Sequence, residues 1–292
     1  FPYPTLFRSN NFAIGEGGGI GCDNGSTPRI MNTDIINNTV IEGSDGGGGI
    51  YLTLQSHAVL ENVFISNNAA AGQGGGIFIK ASSNPTLTHV AIIENYSDTG
   101  AGISVENQSN PFMTNVTIVG NTAESISSAL NIGTGSAPEL INSVLWNNSP
   151  REISFLQNND PSTIEILYCD VQGGQDSIIT NDNGTVIWGE GNIDVDPMFV
   201  DTANGNYHLL ASSQLINAGD PDFTDSDGSR ADMGAYPYLN NYSGPTWYVE
   251  PAGNDTTGTG ASDSPFASIQ SAINFSTTTS DSVTVAAGTY VE

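Results

Sequence analysis

Apolar residues recur along the first half of the chain in a pattern with a period of 26 to 30 residues. In each repeat a glycine-rich stretch leads into two apolar residues two positions apart: Ile20/Cys22, Ile50/Leu52, Ile77/Ile79, Ile103/Val105 and Leu130/Ile132. A second alternating run follows, and its last inward position is Ile35, Ile65, Ile92, Ile118 or Leu145. Alternation at period two predicts β-strands, and a fixed period in the twenties is typical of a solenoid.

An asparagine closes each of these repeats. The five residues are Asn38, Asn68, Asn95, Asn121 and Asn148, with spacings of 30, 27, 26 and 27. Asparagine tolerates the left-handed backbone that a corner between strands needs. When turns stack, equivalent amides can also hydrogen-bond to one another. We therefore expect a structural asparagine ladder along one corner of the stack.

Three short strands cannot bury their inward face alone, but stacked repeats form a continuous core. Crossovers between parallel strands are almost always right-handed. The sequence therefore predicts an all-β fold, a right-handed parallel β-helix of about 6–7 turns over residues 10–190. Ile92 should lie in its core between Ile65 and Ile118. The register of the sixth and seventh turns stays open.

The segments outside the repeats differ in composition. Phe1–Ser9 matches no repeat and resembles the translation of a sequencing adapter, so we expect an artefact joined to a metagenomic fragment. In residues 191–238 turn-forming Gly, Asp, Asn and Pro replace the periodicity, which predicts an irregular closing segment. Residues 239–245 are a predicted linker. Beyond it, we expect residues 246–292 to be loosely held, with a helix over Phe266–Phe275 capped by Ser264.

Several stretches resemble secreted bacterial β-helix proteins of the pectate-lyase-like superfamily. They are DVQGG at Asp170–Gly174, NIDVDPMFVDTANGNYHL at Asn192–Leu209, LINAGDP at Leu215–Pro221 and DSDGSRADMGAYPY at Asp225–Tyr238. The tail, with WYVEPAGND and VTVAAGTYVE, resembles the opening of such a domain. The resemblance implies a truncated β-helix followed by the start of a second one, in a tandem array of monomeric units. It also implies an extracellular or cell-surface location.

The charge of the chain limits its partners. Acidic residues outnumber basic residues 31 to 5, for a net charge of −26. Such a charge repels nucleic acid and anionic membranes. No stretch approaches the roughly 18 apolar residues of a membrane span. We therefore expect no nucleic-acid partner and no membrane insertion.

Catalysis in this fold needs basic residues and clustered carboxylates, and the sequence has few basic residues. Elimination needs an Arg or Lys base near carboxylates that hold Ca²⁺, and hydrolysis needs clustered carboxylates. The candidate bases are Arg29, Lys80, Arg151 and Arg230, and no acidic column accompanies Arg29. We favour a non-enzymatic glycan-binding, adhesion or stalk module. The alternative is a polysaccharide lyase or glycoside hydrolase whose active turns are missing or unrecognised.

Two stretches are candidate binding sites. Ile93, Val119 and Trp146 belong to a column that alternation turns outward, as an apolar strip for a polysaccharide or cell-surface glycan. Burial under the closing segment is the alternative. Asp222, Asp225 and Asp227 have the acids of a calcium loop but not its full spacing or distal Glu. Structural Ca²⁺ and an acidic turn capped by Arg230 both stay open there.

Overall fold

The computed structural model describes residues 6–43, 45–124, 129–157 and 160–290. The chain forms two compact units, of which the first ends at Asp194 and the second begins at Val195. The first unit is the right-handed parallel β-helix that the repeats predict, built from three parallel sheets. In the part of the chain that the structure describes, no helix is long and apolar enough to cross a membrane.

Each sheet takes one strand or strand pair from successive turns. The long sheet comprises Leu6–Ser9, Arg29–Ile36, Val59–Ser66, Thr86–Ile93, Phe112–Val119, Glu139–Ile141, Val144–Trp146, Ser162–Leu167, Asp170–Val171 and Gly184–Trp188. The glycine-side sheet comprises Ile20–Cys22, Ile50–Leu52, Ile77–Ile79, Ile103–Val105, Leu130–Ile132 and Ile153–Phe155. The corner sheet comprises Phe12–Ala13, Thr39–Val40, Ala69–Gln73, Tyr96–Thr99 and Thr122–Ala123.

Neighbouring turns pair in the register that the apolar columns predict. Ile92 pairs with Ile65 on one side and with Ile118 on the other, and all three are fully buried. They belong to one continuous hydrophobic core that runs through the stack. The predicted position of Ile92 is therefore confirmed, and the core forms because each turn covers the inward face of the next.

The structure also defines the last two turns. Ile153–Phe155 pairs in parallel with Leu130–Ile132 and places the sixth turn in the glycine-side sheet. Gly184–Trp188 pairs with Ser162–Leu167 and supplies a strand of the seventh. These turns have irregular loops, which is why spacing alone left their register open.

The N-terminal strand Leu6–Ser9 pairs with Arg29–Ile36, so this part of the predicted artefact takes a place in the long sheet. Arg8 pairs with Ile35, a core position, yet all four residues of the strand are exposed. The strand therefore follows the backbone pairing of the repeat without its apolar pattern. Residues 1–5 lie outside the described residues, and the origin of this segment stays a prediction.

Left-handed backbone lies at different positions from those we expected. The ladder asparagines have negative φ, and the residue before each of them is left-handed instead: Asn37, Asn67, Glu94, Gly120 and Asn147. A second left-handed column lies inside the long strands, with φ of 48° to 54°: Asn32, Asn62, His89, Asn115 and Asn142. The residue before the ladder makes the turn, so the following asparagine can direct its amide along the stack.

The second unit has little regular structure. Phe199–Asp201 and Asn206–Leu209 form an antiparallel pair, and Thr246–Val249 pairs in parallel with Ser282–Val285. Short 3₁₀ helices lie at Gln175–Ser177, in the first unit, and at Thr202–Asn204, in the second. The one α-helix among the described residues, Ile269–Phe275, begins after Ser268, whose hydroxyl accepts from the Ser271 amide at 3.2 Å. The predicted start at Phe266 with a Ser264 cap was therefore wrong, because Ser268 offers the cap one turn later.

The tail packs against the closing segment within this second unit. Asn274 Nδ2 donates to the carbonyl oxygens of Ala211 and Ser213 at 2.9 and 2.7 Å. The Tyr238 ring lies 5.5 Å from the Phe275 ring, centroid to centroid. The prediction of a loosely held tail was wrong, because these contacts join it to the closing segment. The identity of the tail as the start of a second domain stays a prediction.

Candidate functional site

An amide ladder runs along the corner between the long sheet and the corner sheet. The Asn68 backbone N–H and side-chain Nδ2 both donate to Oδ1 of Asn95, at 2.9 and 3.0 Å. Asn68 Nδ2 also donates to the Ile35 carbonyl at 2.8 Å. Three further members repeat this pattern: Asn38, Asn95 and Asn121. Each amide thus satisfies backbone groups of the preceding turn and donates to the amide of the following turn.

The ladder has members at both ends that we did not predict. Asn11 donates from its backbone N and its Nδ2 to Asn38 Oδ1, at 3.1 and 2.8 Å. Its spacing of 27 residues from Asn38 was the available signal. At the other end Glu152 accepts from the backbone N and the Nδ2 of Asn148. Burial raises the pKa of Glu152 to about 7, although the hydrogen bonds from Asn148 oppose the rise.

The predicted apolar strip does not form an accessible surface. Ile93 is 2% exposed and Val119 is 4% exposed, and neither belongs to the interior core. In the long sheet Ile93 lies between Ser66 and Val119, so it has covered neighbours on both sides. Trp146 is half-buried, and the pairing of its strand with the following turn ends at Leu145. Of the two alternatives that the sequence left open, exposure is ruled out for Ile93 and Val119, which are buried, and Trp146 alone of the three offers surface.

The three predicted metal ligands do not converge on one point. Asp225 Oδ2 accepts from the Asp232 amide at 3.0 Å, and Asp227 accepts from the amides of Ser229 and Asn240 at 3.0 and 2.8 Å. Asp222 is exposed. Within the described ranges no group of three or more His, Cys, Asp or Glu is arranged to hold a metal ion. The calcium prediction is not supported, because the loop uses these carboxylates to bind its own backbone.

The closing loop instead contains a buried pair of carboxyl groups. Asp232 is 1% exposed and accepts from the amides of Asn217 and Tyr238, at 2.7 and 2.6 Å. Burial, together with the nearby charge of Asp225, raises the pKa of Asp232 to about 8. Burial likewise raises the pKa of Asp225 to about 6. Arg230 donates to the carbonyl oxygens of Gly219 and Ala218, at 2.5 and 3.4 Å, so it braces the loop backbone.

A cluster that we did not predict lies on the outer side of the glycine-side sheet. We call it the Lys80 cluster, and it comprises Asp45, Tyr51, Phe78, Lys80 and Glu106. The Lys80 ammonium contacts Asp45 Oδ2 and lies 5.7 and 5.5 Å from the ring centroids of Tyr51 and Phe78. The two rings are 5.8 Å apart. The available signal was that Lys80 is the only lysine in the sequence.

The electrostatics of the Lys80 cluster favour a protonated lysine. Burial alone would lower the pKa of Lys80, but hydrogen bonds to Asp45 and Tyr51 outweigh it and raise the pKa. Burial raises the pKa of Glu106, and its Oε1 is buried without a hydrogen-bond partner. A general base needs a pKa near the working pH, so Lys80 is poorly suited to remove a proton from a substrate.

Arg29 and Arg151, two further basic residues of the β-helix, also lack the setting of a catalytic base. Arg29 is exposed and lies 3.8 Å from Glu61. Arg151 has its Nε buried without a hydrogen-bond partner. An arginine guanidinium carries N–H donors and no acceptor. Neither residue therefore provides the proton acceptor that elimination requires.

Comparison with known proteins identifies a family model that matches the β-helix. A family model described as "Right handed beta helix region" matches residues 4–197. No curated protein matches the chain. One similar solved structure is the crystal structure of pectate lyase Pel9A, with 16% identity, a TM-score of 0.44, and alignment over 80% of this chain and 72% of that chain. At that identity the likeness concerns the fold alone.

Proposed function

Because the chain belongs to the right-handed β-helix family, we propose that it is a non-catalytic, glycan-binding module of a secreted or cell-surface protein. The observation that carries the non-catalytic part is the Lys80–Asp45 contact. It binds the only lysine of the chain to a carboxylate and raises the lysine pKa. A lysine in this state anchors the outer side of the sheet and does not accept a proton.

Surface chemistry supports a glycan as the ligand. Charged residues make up 12% of the sequence, and the net charge of −26 opposes binding of nucleic acid and anionic lipid. Exposed polar positions of the coil are therefore largely uncharged amides and hydroxyls, as at Asn62, Asn84 and Asn110. Such groups both donate and accept hydrogen bonds, as sugar hydroxyls do. The ladder keeps these positions in a fixed register along the stack.

A second candidate function is glycoside hydrolysis, and Glu106 is the observation that favours it. Burial raises the pKa of this carboxyl group, as a general acid requires. Asp45 contributes to its electrostatic environment and is itself paired with Lys80. Glycosidases use a pair of carboxyl groups, one of them as general acid.

One experiment separates the two functions. The full chain is incubated with a panel of polysaccharides, with and without Ca²⁺, and assayed for new reducing ends and for unsaturated ends. Binding to the same panel is measured by affinity electrophoresis. We expect retarded migration on at least one polysaccharide and no new ends. New ends that disappear in Glu106→Gln would establish the hydrolase instead, and absence of binding to every polysaccharide would contradict the glycan-binding proposal.

A further inference from the structure

The second unit contains a cavity of about 610 Å³ that we call the Trp247 pocket. Its lining includes Asp227, Asn240, Tyr242, Trp247 and Asp281. Ligand pockets in proteins typically enclose about 300–1,000 Å³. A second cavity of the same unit, beside His208 and Tyr238, encloses about 250 Å³ and falls below that range.

The indole N–H of Trp247, which lines the Trp247 pocket, is a buried donor that lacks an acceptor. Trp247 is 3% exposed, and its Nε1 has no hydrogen-bond partner. A buried N–H without an acceptor costs about 1–3 kcal/mol, so such groups are rare in native proteins. The ring itself is held by Tyr242 and Phe275, with centroids 5.1 and 5.5 Å away. The indole cannot turn away to find water without disrupting this packing.

Asp281 supplies an acceptor close to the orphaned donor. Its Oδ2 accepts from the Thr278 amide at 2.9 Å, which fixes the carboxylate. A methyl group built on Gly244 would lie 3.2 Å from Trp247 Nε1 and 3.4 Å from Asp281 Oδ1. The two atoms are therefore no more than 6.6 Å apart, the sum of those distances. Glycine at position 244 keeps this space open, and its φ of +76° also disfavours any larger residue.

We propose that the Trp247 pocket binds a neutral sugar ring through two adjacent hydroxyl groups. One hydroxyl oxygen accepts from Trp247 Nε1, and the neighbouring hydroxyl donates to Asp281 Oδ1. The rim residue Tyr242, which is half-buried, offers an apolar face to the C–H groups of the ring.

The charge of the site selects a neutral sugar over an acidic one. Asp227 and Asp281 both line the Trp247 pocket, and Arg230 is the basic residue that lines it. The chain as a whole has a net charge of −26. A uronic acid would bring another carboxylate into this field, which opposes its binding. The inference rests on the proposed glycan-binding function and assigns that function a site and a sugar class.

The test uses the full chain with hexamers of neutral sugars and a galacturonan hexamer. The sequence has three tryptophans, so a ¹H–¹⁵N spectrum shows three indole N–H signals, and Trp247→Phe identifies that of Trp247. We expect a neutral hexamer to shift this signal. Asp281→Asn should weaken binding at least about tenfold, since it removes the negative charge of the acceptor. Asp263→Asn, the same change at an exposed position of the same unit, should leave binding unchanged.

Each other outcome overturns a defined part of the inference. If hexamers bind while the Trp247 signal and the Asp281→Asn affinity stay unchanged, glycan binding is retained and its location in the Trp247 pocket is wrong. If galacturonan binds more tightly than every neutral hexamer, the neutral class is wrong. If no glycan binds, both the pocket and the proposed function fail.

Discussion

Glu152 accepts both hydrogen bonds that Asn148 directs along the stack, from its backbone N at 3.1 Å and from its side-chain Nδ2. In earlier turns the same two donors reach one oxygen, the Oδ1 of the next asparagine, as Asn121 does with Asn148. The next turn offers no asparagine at this level, because the pairing of Val144 with Asp170 places Gly174 there. Glu152, the residue just before the strand Ile153–Phe155, therefore completes the ladder, and it is 4% exposed.

Glu152 should make the stability of the β-helix depend on pH. Its pKa is about 7 in the folded chain against an ordinary value of 4.5, because burial disfavours the charged form. Between these values the folded state binds more protons than the unfolded state, so stability falls as pH rises from about 4.5 to about 7. At about 1.4 kcal/mol per pKa unit, the loss is on the order of 3 kcal/mol. Denaturant unfolding at pH 5 and pH 8 measures it.

The variant Glu152→Gln isolates this contribution from other groups. Asp225 and Asp232, whose pKa values are about 6 and about 8, shift stability in the same direction. The wild type should therefore lose more stability than Glu152→Gln between pH 5 and pH 8, although both lose some. Equal losses in the two proteins would show that Glu152 does not titrate in this range.

Asn121→Ala should destabilise the β-helix by about 3 kcal/mol, because two buried donors of Asn95 lose their acceptor at about 1–3 kcal/mol each. Asn121 Oδ1 accepts from the Asn95 backbone N and Nδ2, both at 2.9 Å. The Ile92 carbonyl also loses a donor, at 2.9 Å. Asn241→Ala, at an exposed loop position, is the matched control and should change stability by less than about 0.5 kcal/mol. Equal unfolding midpoints for the two variants would contradict a structural role of the ladder.

Ile92→Ala should cost about 2–5 kcal/mol, the usual range for removing a large aliphatic side chain from a packed core. Ile92 is fully buried between Ile65 and Ile118, so neighbouring turns cannot collapse into the cavity without shifting their register. Ile41 is 44% exposed, and Ile41→Ala is the control with the same chemical change. Urea unfolding of both variants gives the two costs. A comparable cost at Ile41 would mean that burial of Ile92 does not set its contribution.

The sequence predicted the coil well because strand alternation and a fixed repeat reinforce each other. The Ile92 column needed only a count of residues, and the pairing of turns followed from it. Alternation also placed Ile93 and Val119 outside the interior core, as observed. It could not show that they are buried, because the pattern tells which side of a sheet a residue occupies and not what covers that side.

The same reasoning could not predict sites whose residues come from separate segments of the chain. Lys80 and Glu106 follow the paired residues Ile79 and Val105 and so occupy equivalent positions of adjacent turns, 26 residues apart. Asp45 comes from a loop that the repeat does not place, so no motif predicts the Lys80 cluster. Glu152 was missed for a related reason, since it substitutes for an asparagine without occupying its repeat position. The Trp247 pocket depends on chain packing between positions 217 and 281, where no repeat exists to guide a prediction.

The acidic loop at Asp222–Asp227 gives a prediction on calcium. Because Asp225 and Asp227 already accept backbone hydrogen bonds, we expect EDTA and 1 mM Ca²⁺ to give the same thermal midpoint. A site with calcium at about 100 times its Kd would add about 2.7 kcal/mol, which is several degrees in the midpoint of a chain this long. A thermal scan resolves such a shift.

Aspartate variants test the same loop without relying on a null result. Asp225→Ala should destabilise in EDTA and in Ca²⁺ alike, by about 1–3 kcal/mol, because the buried Asp232 amide loses its acceptor. Asp222→Ala, at an exposed position, should have little effect in either buffer. A calcium site would behave differently: both variants would lose stability in Ca²⁺ and neither would in EDTA. That pattern would restore Asp222, Asp225 and Asp227 as metal ligands and show that the loop rearranges to bind the ion.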